Sequence, residues 1–182
     1  MAPPARRATV EDLYAYPGHA ELVGGRLVIK DGSGFRPSRA AANIMLSLRG
    51  YERNIRPGYA FADGVTYLVD LPDRESFIPD ASFYTGPPTG MKFLQGAPIF
   101  AAEVRSEGDY GEYAEREMRA KRADYFQAGT QVVWDVDLLG EDVVRVYRAA
   151  DPERPTVYRR GEVAEAEPAL PSWRMAVDAL FE

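Results

Sequence analysis

Apolar and polar positions along the chain follow two periods, and each change of period marks an element. Over residues 38–55, apolar side chains fall at Ala40, Ile44, Leu48, Tyr51 and Ile55. This is the spacing of a helix with one buried face, and Ser38 is its expected N-cap. Ala20-Glu21-Leu22-Val23 and Arg26-Leu27-Val28-Ile29-Lys30 flank Gly24-Gly25, and paired glycines supply the positive φ angles of a tight hairpin turn. Residues 59–61 and 65–69 predict two further strands, paired around Asp63-Gly64. Residues 77–84 are rich in strand formers, although Pro79 restricts them to a strand start or a bend. Residues 98–105 form an apolar run with Glu103 near its end, the pattern of a buried strand carrying an acid to its edge. The charge-dense residues 113–128 predict a long helix stopped by Gly129, and residues 131–136 predict the strand after it.

Shorter elements complete the chain. Thr9, with Asp12 three residues on, predicts a capped helix ending before Pro17. Residues 143–147 and 156–159 predict strands of a final meander, and residues 175–180 a closing helix. Residues 1–8 read as a tail. A helix between the strands at 98–105 and 131–136 predicts a crossover joining a parallel pair, whereas the hairpins predict antiparallel pairs. The expected fold is therefore α/β (α+β). One domain has a mixed sheet flanked by helices, an N-terminal hairpin and a C-terminal meander.

Composition narrows the chemistry. At 182 residues and 46% apolar, the chain is long enough to bury a substantial core. It has no cysteine and a single histidine, His19. Thiolate metal sites and multi-histidine zinc sites are excluded, as is a Ser-His-Asp triad unless His19 serves it. Metal chemistry would need oxygen ligands and a hard cation, magnesium or manganese. No run of eighteen apolar residues predicts a membrane span, and the first residues lack the apolar core of a signal peptide. A cytoplasmic address is expected. The net charge of −6 is unfavourable for contact with phosphates, but basic residues still cluster, as at Arg116, Arg119, Lys121 and Arg122.

Three residues in one stretch carry the candidate chemistry: Asp80 after Pro79, Glu103 in its apolar run, and Lys121 on the following helix. Taken singly, Asp80 is a turn acid by default, and Lys121 a solvated residue or a partner of Glu117. Glu21 is a surface-strand residue by default. Tyr125, Phe126 and Trp134 are core rather than base-stacking residues. Glu103 is different, because a carboxylate in an apolar strand is costly to bury without a partner. Two converging carboxylates repel unless one holds a proton or both bind a cation. A divalent ion there, with an ammonium nearby, suits hydrolysis of a phosphodiester.

The order of these pieces resembles the PD-(D/E)xK nuclease superfamily and, more narrowly, its Uma-type restriction endonucleases. The resemblance is carried by Ala20-Glu21-Leu22-Val23-Gly24-Gly25-Arg26-Leu27, Pro79-Asp80, and Gly96-Ala97-Pro98 leading to Glu103-Val104-Arg105-Ser106. It continues through Lys121, Tyr125, Ala128 and Gly129, the strand with Trp134, Leu170-Pro171-Ser172-Trp173 and Leu180-Phe181. It implies a restriction-endonuclease-like fold, magnesium- or manganese-dependent hydrolysis of DNA, and a homodimer. Asp80 and Glu103 would be metal ligands, Lys121 the catalytic lysine and Glu21 an auxiliary acid. Arg105 holds the place where the wider superfamily carries its lysine. It shares a strand face with Glu103 and could stabilise charge, but a guanidinium does not act as a base. Two positions depart from the pattern: Ile78 replaces an arginine before the proline-aspartate pair, and Arg39 lies near where a histidine is usual. The alternative expectation is a non-catalytic member of the same fold, working as a dimeric binding or scaffolding module.

Overall fold

The computed structural model describes residues 6–54 and 58–182. The chain opens with α1 (Val10–Ala15), whose cap is the expected box: the Thr9 hydroxyl accepts from the Asp12 amide, and the Asp12 carboxylate accepts from the Thr9 amide. The hairpin β1 (Ala20–Val23) and β2 (Arg26–Ile29) pairs in the predicted register across Gly24 and Gly25, at φ +56° and +72°. Helix α2 (Phe35–Glu52) starts three residues before the expected Ser38 cap. Gly34 is its N-cap, and Pro37 sits in the first turn, where a missing N–H removes no helical hydrogen bond. The expected end at Ile55 lies outside the described residues.

Six strands form the main sheet, in the order β11-β10-β9-β8-β6-β3. They are β3 (Tyr59–Ala62), β6 (Ala81–Tyr84), β8 (Phe100–Val104), β9 (Val132–Val136), β10 (Val144–Arg148) and β11 (Asp151–Tyr158). The β8 and β9 pair is parallel, joined by α3 (Glu112–Gln127), while the other neighbours are antiparallel. The sheet is therefore mixed, as the crossover and the meander require. Gly129, at φ +107°, ends the crossover helix as predicted.

A second, three-stranded sheet consists of β4 (Tyr67–Leu71), β5 (Arg74–Phe77) and β7 (Leu94–Gln95). This corrects one expectation: the strands around Asp63-Gly64 do not pair with each other. β3 pairs with β6 in the main sheet, and β4 pairs with β5 and β7. The cause is burial. Tyr67 joins Phe77, Leu94, Tyr84 and Tyr125 in one apolar cluster, which draws β4 out of the main sheet. The run 77–84 is likewise divided, since Phe77 ends β5 and Ile78-Pro79-Asp80 bends the chain into β6. At the C-terminus, β12 (Val163–Glu165) pairs with β13 (Arg174–Ala176). The closing helix is a 3-10 turn, Val177–Phe181, beginning later than expected because Arg174–Ala176 is held as strand.

The main sheet separates two apolar clusters. Phe100, Ala102 and Val104 of β8 face α2, where Ile44 and Leu48 pack with Trp134 and Trp173. Each such buried side chain contributes ~1.5–3 kcal/mol of apolar transfer free energy. Ala101 points the other way, into the cluster containing Tyr125 of α3. Alternation along β8 therefore sets Glu103 on the α3 side. Along β6, Ala81 and Phe83 face α2 while Tyr84 faces the α3 side, so Asp80 falls on the same side as Glu103. Among the described residues, no helix is long and apolar enough to cross a membrane.

Candidate active site

Asp80 reaches the strand that carries Glu103 and holds it on both flanks. Its backbone amide donates to the Ala102 carbonyl at 3.1 Å. Its Oδ2 accepts from the Val104 amide at 2.7 Å. The two acids are thereby fixed beside one another, Asp80 at the bend that enters β6 and Glu103 on the adjacent β8. Lys121 projects from α3 onto Glu103, with Nζ 2.9 Å from Oε1 and 3.0 Å from Oε2. One helical turn further, the Tyr125 hydroxyl donates to Glu103 Oε1 at 2.6 Å. Residues four apart lie on one helix face, which is why both side chains meet the same carboxylate.

Glu21 is not the surface-strand residue that its place beside the turn predicts. Its side chain is only 7% exposed and is saturated with donors. Arg74 donates to Oε2 at 2.8 Å, the Ile78 amide donates to Oε1 at 2.9 Å, and Lys121 Nζ lies 2.8 Å from Oε1. Lys121 is thus bridged between Glu21 and Glu103 and not paired with Glu117. Arg74 in turn donates to Asp124 of α3 at 2.7 Å. This ties the hairpin, the small sheet and the helix into one polar network.

Arg105 stands apart from this cluster. Immediately after β8, its guanidinium grips Asp135 of β9 with two hydrogen bonds, of 2.7 and 2.8 Å, and also binds Glu115 of α3. It pins α3 to the sheet, and its donors are directed at those acids, not at Asp80 or Glu103.

The network also contains Lys30, the residue that follows β2. Its Nζ donates to the Ile78 carbonyl at 2.9 Å and lies 3.4 Å from Asp80 Oδ1. Nothing in the local pattern marks it, because its partners lie about fifty residues away. Arg74 likewise has its carboxylate partners, Glu21 and Asp124, far along the chain. Tyr125 could have been found from its four-residue spacing to Lys121.

Electrostatics divide the two glutamates. Burial pushes Glu21 up, but the positive fields of Lys121, Lys30 and Arg74 outweigh it and hold its carboxyl below the ordinary range. Burial likewise pushes Glu103 up. Lys121 and Lys30 pull it back, while Asp80 and Glu21 add repulsion, so it stays above the ordinary range. Burial and the Glu103 charge keep the Tyr125 hydroxyl protonated, as a donor.

Among the described residues, no group of three or more histidine, cysteine or acidic side chains is placed to hold a metal ion. Asp80 and Glu103 are the pair that could. Both are carboxylates about one-fifth exposed, whereas Glu21 is closed to solvent. Two carboxylates suit a small hard cation that keeps several waters and takes further oxygens from a phosphate.

The sequence matches the family model of Uma2, described as "Putative restriction endonuclease", over residues 10–178. A comparison with curated proteins finds no match. Among solved structures, a putative nuclease belonging to DUF820 from Anabaena variabilis superposes with a TM-score of 0.74 at 17% identity. The superposition covers 95% of this chain and 97% of that one, and it shows a shared fold. With a family match running from the first helix to the closing turn, the chain belongs to the Uma2 family of restriction-endonuclease-like proteins.

Proposed function

We propose that this protein is a metal-dependent endonuclease that hydrolyses phosphodiester bonds in DNA, with magnesium or manganese held by Asp80 and Glu103. One observation carries the reading: Asp80 is bonded to both neighbours of Glu103, and the Lys121 ammonium lies 2.9 Å from the Glu103 carboxylate. When bound, the cation would supply Lewis acidity at a phosphoryl oxygen and make hydroxide accessible near neutral pH. Lys121 donates towards the same space and would stabilise charge developing on the non-bridging oxygens as water attacks phosphorus and a P–O ester bond breaks. Glu21 acts through Lys121, holding its Nζ at 2.8 Å, and is a positioning residue. Tyr125 fixes the Glu103 carboxylate. Membership of the Uma2 family supports DNA as the substrate class.

The test is nicking of supercoiled plasmid by the purified chain with magnesium or manganese. Asp80→Ala is expected to abolish it. Inertness with every divalent ion tried would sink the enzyme reading.

A second reading, a non-catalytic binding module, is favoured by the ammonium groups already facing Asp80 and Glu103. Metal titration separates the two. Saturating a real site a hundredfold above its dissociation constant stabilises the fold by ~2.7 kcal/mol, and a flat melting curve favours the binding module.

A further inference from the structure

The charges in the cluster are close to balanced without a metal. Glu21, Asp80, Glu103 and Asp124 supply four carboxylates, and Lys30, Lys121 and Arg74 face them among the described residues. A divalent cation entering between Asp80 and Glu103 would leave an excess of positive charge in a partly desolvated place, where like charges interact strongly. The most weakly held of the three cations is the one placed to yield.

The geometry distinguishes them. Arg74 is 8% exposed and fixed by two carboxylates at 2.7 and 2.8 Å. Lys121 is 17% exposed and bridges two carboxylates at 2.8 and 2.9 Å. Lys30 is the most exposed of the three, at 25%, and its contact with Asp80 is the longest, at 3.4 Å. It stands at the end of β2, on an irregular stretch leading into α2, and its other acceptor is the Ile78 carbonyl. The side chain can swing into water without breaking a strand pair.

We propose that Lys30 is a built-in counter-ion of the metal site: its ammonium neutralises Asp80 and Glu103 in the metal-free protein and is displaced from Asp80 when a divalent cation binds. The inference rests on the nuclease reading for the identity of the ligand pair. It adds that this chain's metal affinity is set by competition with one of its own side chains. Lys30 then differs from Lys121, which stays in place and faces the substrate. The metal-free site is kept folded and unrepelled at the cost of weaker binding.

The test uses the full chain and manganese(II) alone, with binding followed by calorimetry and by the electron paramagnetic resonance signal of the free ion. Lys30→Met is expected to tighten manganese binding at least tenfold, whereas Lys30→Arg, which keeps the charge, leaves it weak. In the wild-type chain, manganese should also raise the rate at which an acylating reagent labels Lys30, read by peptide mass spectrometry. Should Lys30→Met not fold, Lys30→Gln and the labelling experiment decide. Unchanged or weaker binding in the neutral variants, or labelling of Lys30 that manganese leaves unchanged, overturns the counter-ion. If the wild-type chain still binds manganese in that case, the nuclease reading survives. Absence of binding in every variant overturns both.

Discussion

Replacing Glu21 tests whether the polar network is a structural joint as well as part of a site. In Glu21→Ala, the Ile78 amide loses its acceptor, and an unsatisfied buried donor costs ~1–3 kcal/mol. Arg74 and Lys121 each lose one carboxylate but keep another, Asp124 and Glu103 respectively. The cost of breaking a buried ion pair, ~3–5 kcal/mol, therefore applies at its lower end. Together these give a loss of ~4–6 kcal/mol. A chain of this size loses ~2–4 °C in Tm per kcal/mol, so the melting point should fall by about 15 °C. Glu21→Gln keeps an oxygen for the Ile78 amide and should cost roughly half as much. Removing the opposing charge as well, in Glu21→Gln/Arg74→Met, should cost at least ~1 kcal/mol less than the sum of the two single changes, because those residues are in direct contact. Equilibrium urea unfolding of the four proteins gives the cycle. A Glu21→Ala loss below ~1 kcal/mol, or strict additivity in the double variant, would refute the buried-joint reasoning.

Other expectations concern single contacts. Tyr125→Phe keeps the ring stack on Phe77, at 4.1 Å, but removes the donor to Glu103. It should cost ~1.5 kcal/mol of stability and, with Glu103 free to turn, slow plasmid nicking by about tenfold. Asp137 is pushed up by burial but held below the usual carboxylate range by the Leu139 amide, the Tyr110 hydroxyl and the Gly140 amide. Its contribution is therefore present above about pH 4 and lost as pH falls through its depressed folded-state value. Asp137→Asn should accordingly flatten the acid limb of Tm against pH, and superimposable limbs would rule this out.

What the sequence disclosed depended on how far apart the partners lie. Local chemistry was legible: the Thr9–Asp12 box, the Gly24-Gly25 turn, the Gly129 stop and the β8–α3–β9 crossover each follow from a few neighbouring residues. Asp80, Glu103 and Lys121 were legible as a set because strand alternation and motif order point at one side of one sheet. The start of α2 lies before the expected Ser38 cap, because the first turn of a helix accepts Pro37 without losing a hydrogen bond. The fate of β4 was invisible because its partner strands are chosen by Tyr67 entering a cluster built from seven different elements. Lys30 and Arg74 escaped for the same reason. A basic residue at a strand end looks solvated until the acid that faces it is known.

The β1–β2 hairpin belongs to neither larger sheet, yet Glu21 lies on it and Lys30 immediately follows it. It is fastened to β5 by the Leu22 amide on Ser76 Oγ at 2.7 Å, the Gly25 amide on Glu75 at 3.0 Å and the Glu21–Arg74 pair. The candidate site is consequently assembled across a seam, with Asp80, Glu103 and Lys121 on one side and Glu21 and Lys30 on the other. Peeling that flap away would take apart the polar cluster while leaving the six-stranded scaffold paired, so on warming the exchange protection of the hairpin amides should be lost before global melting.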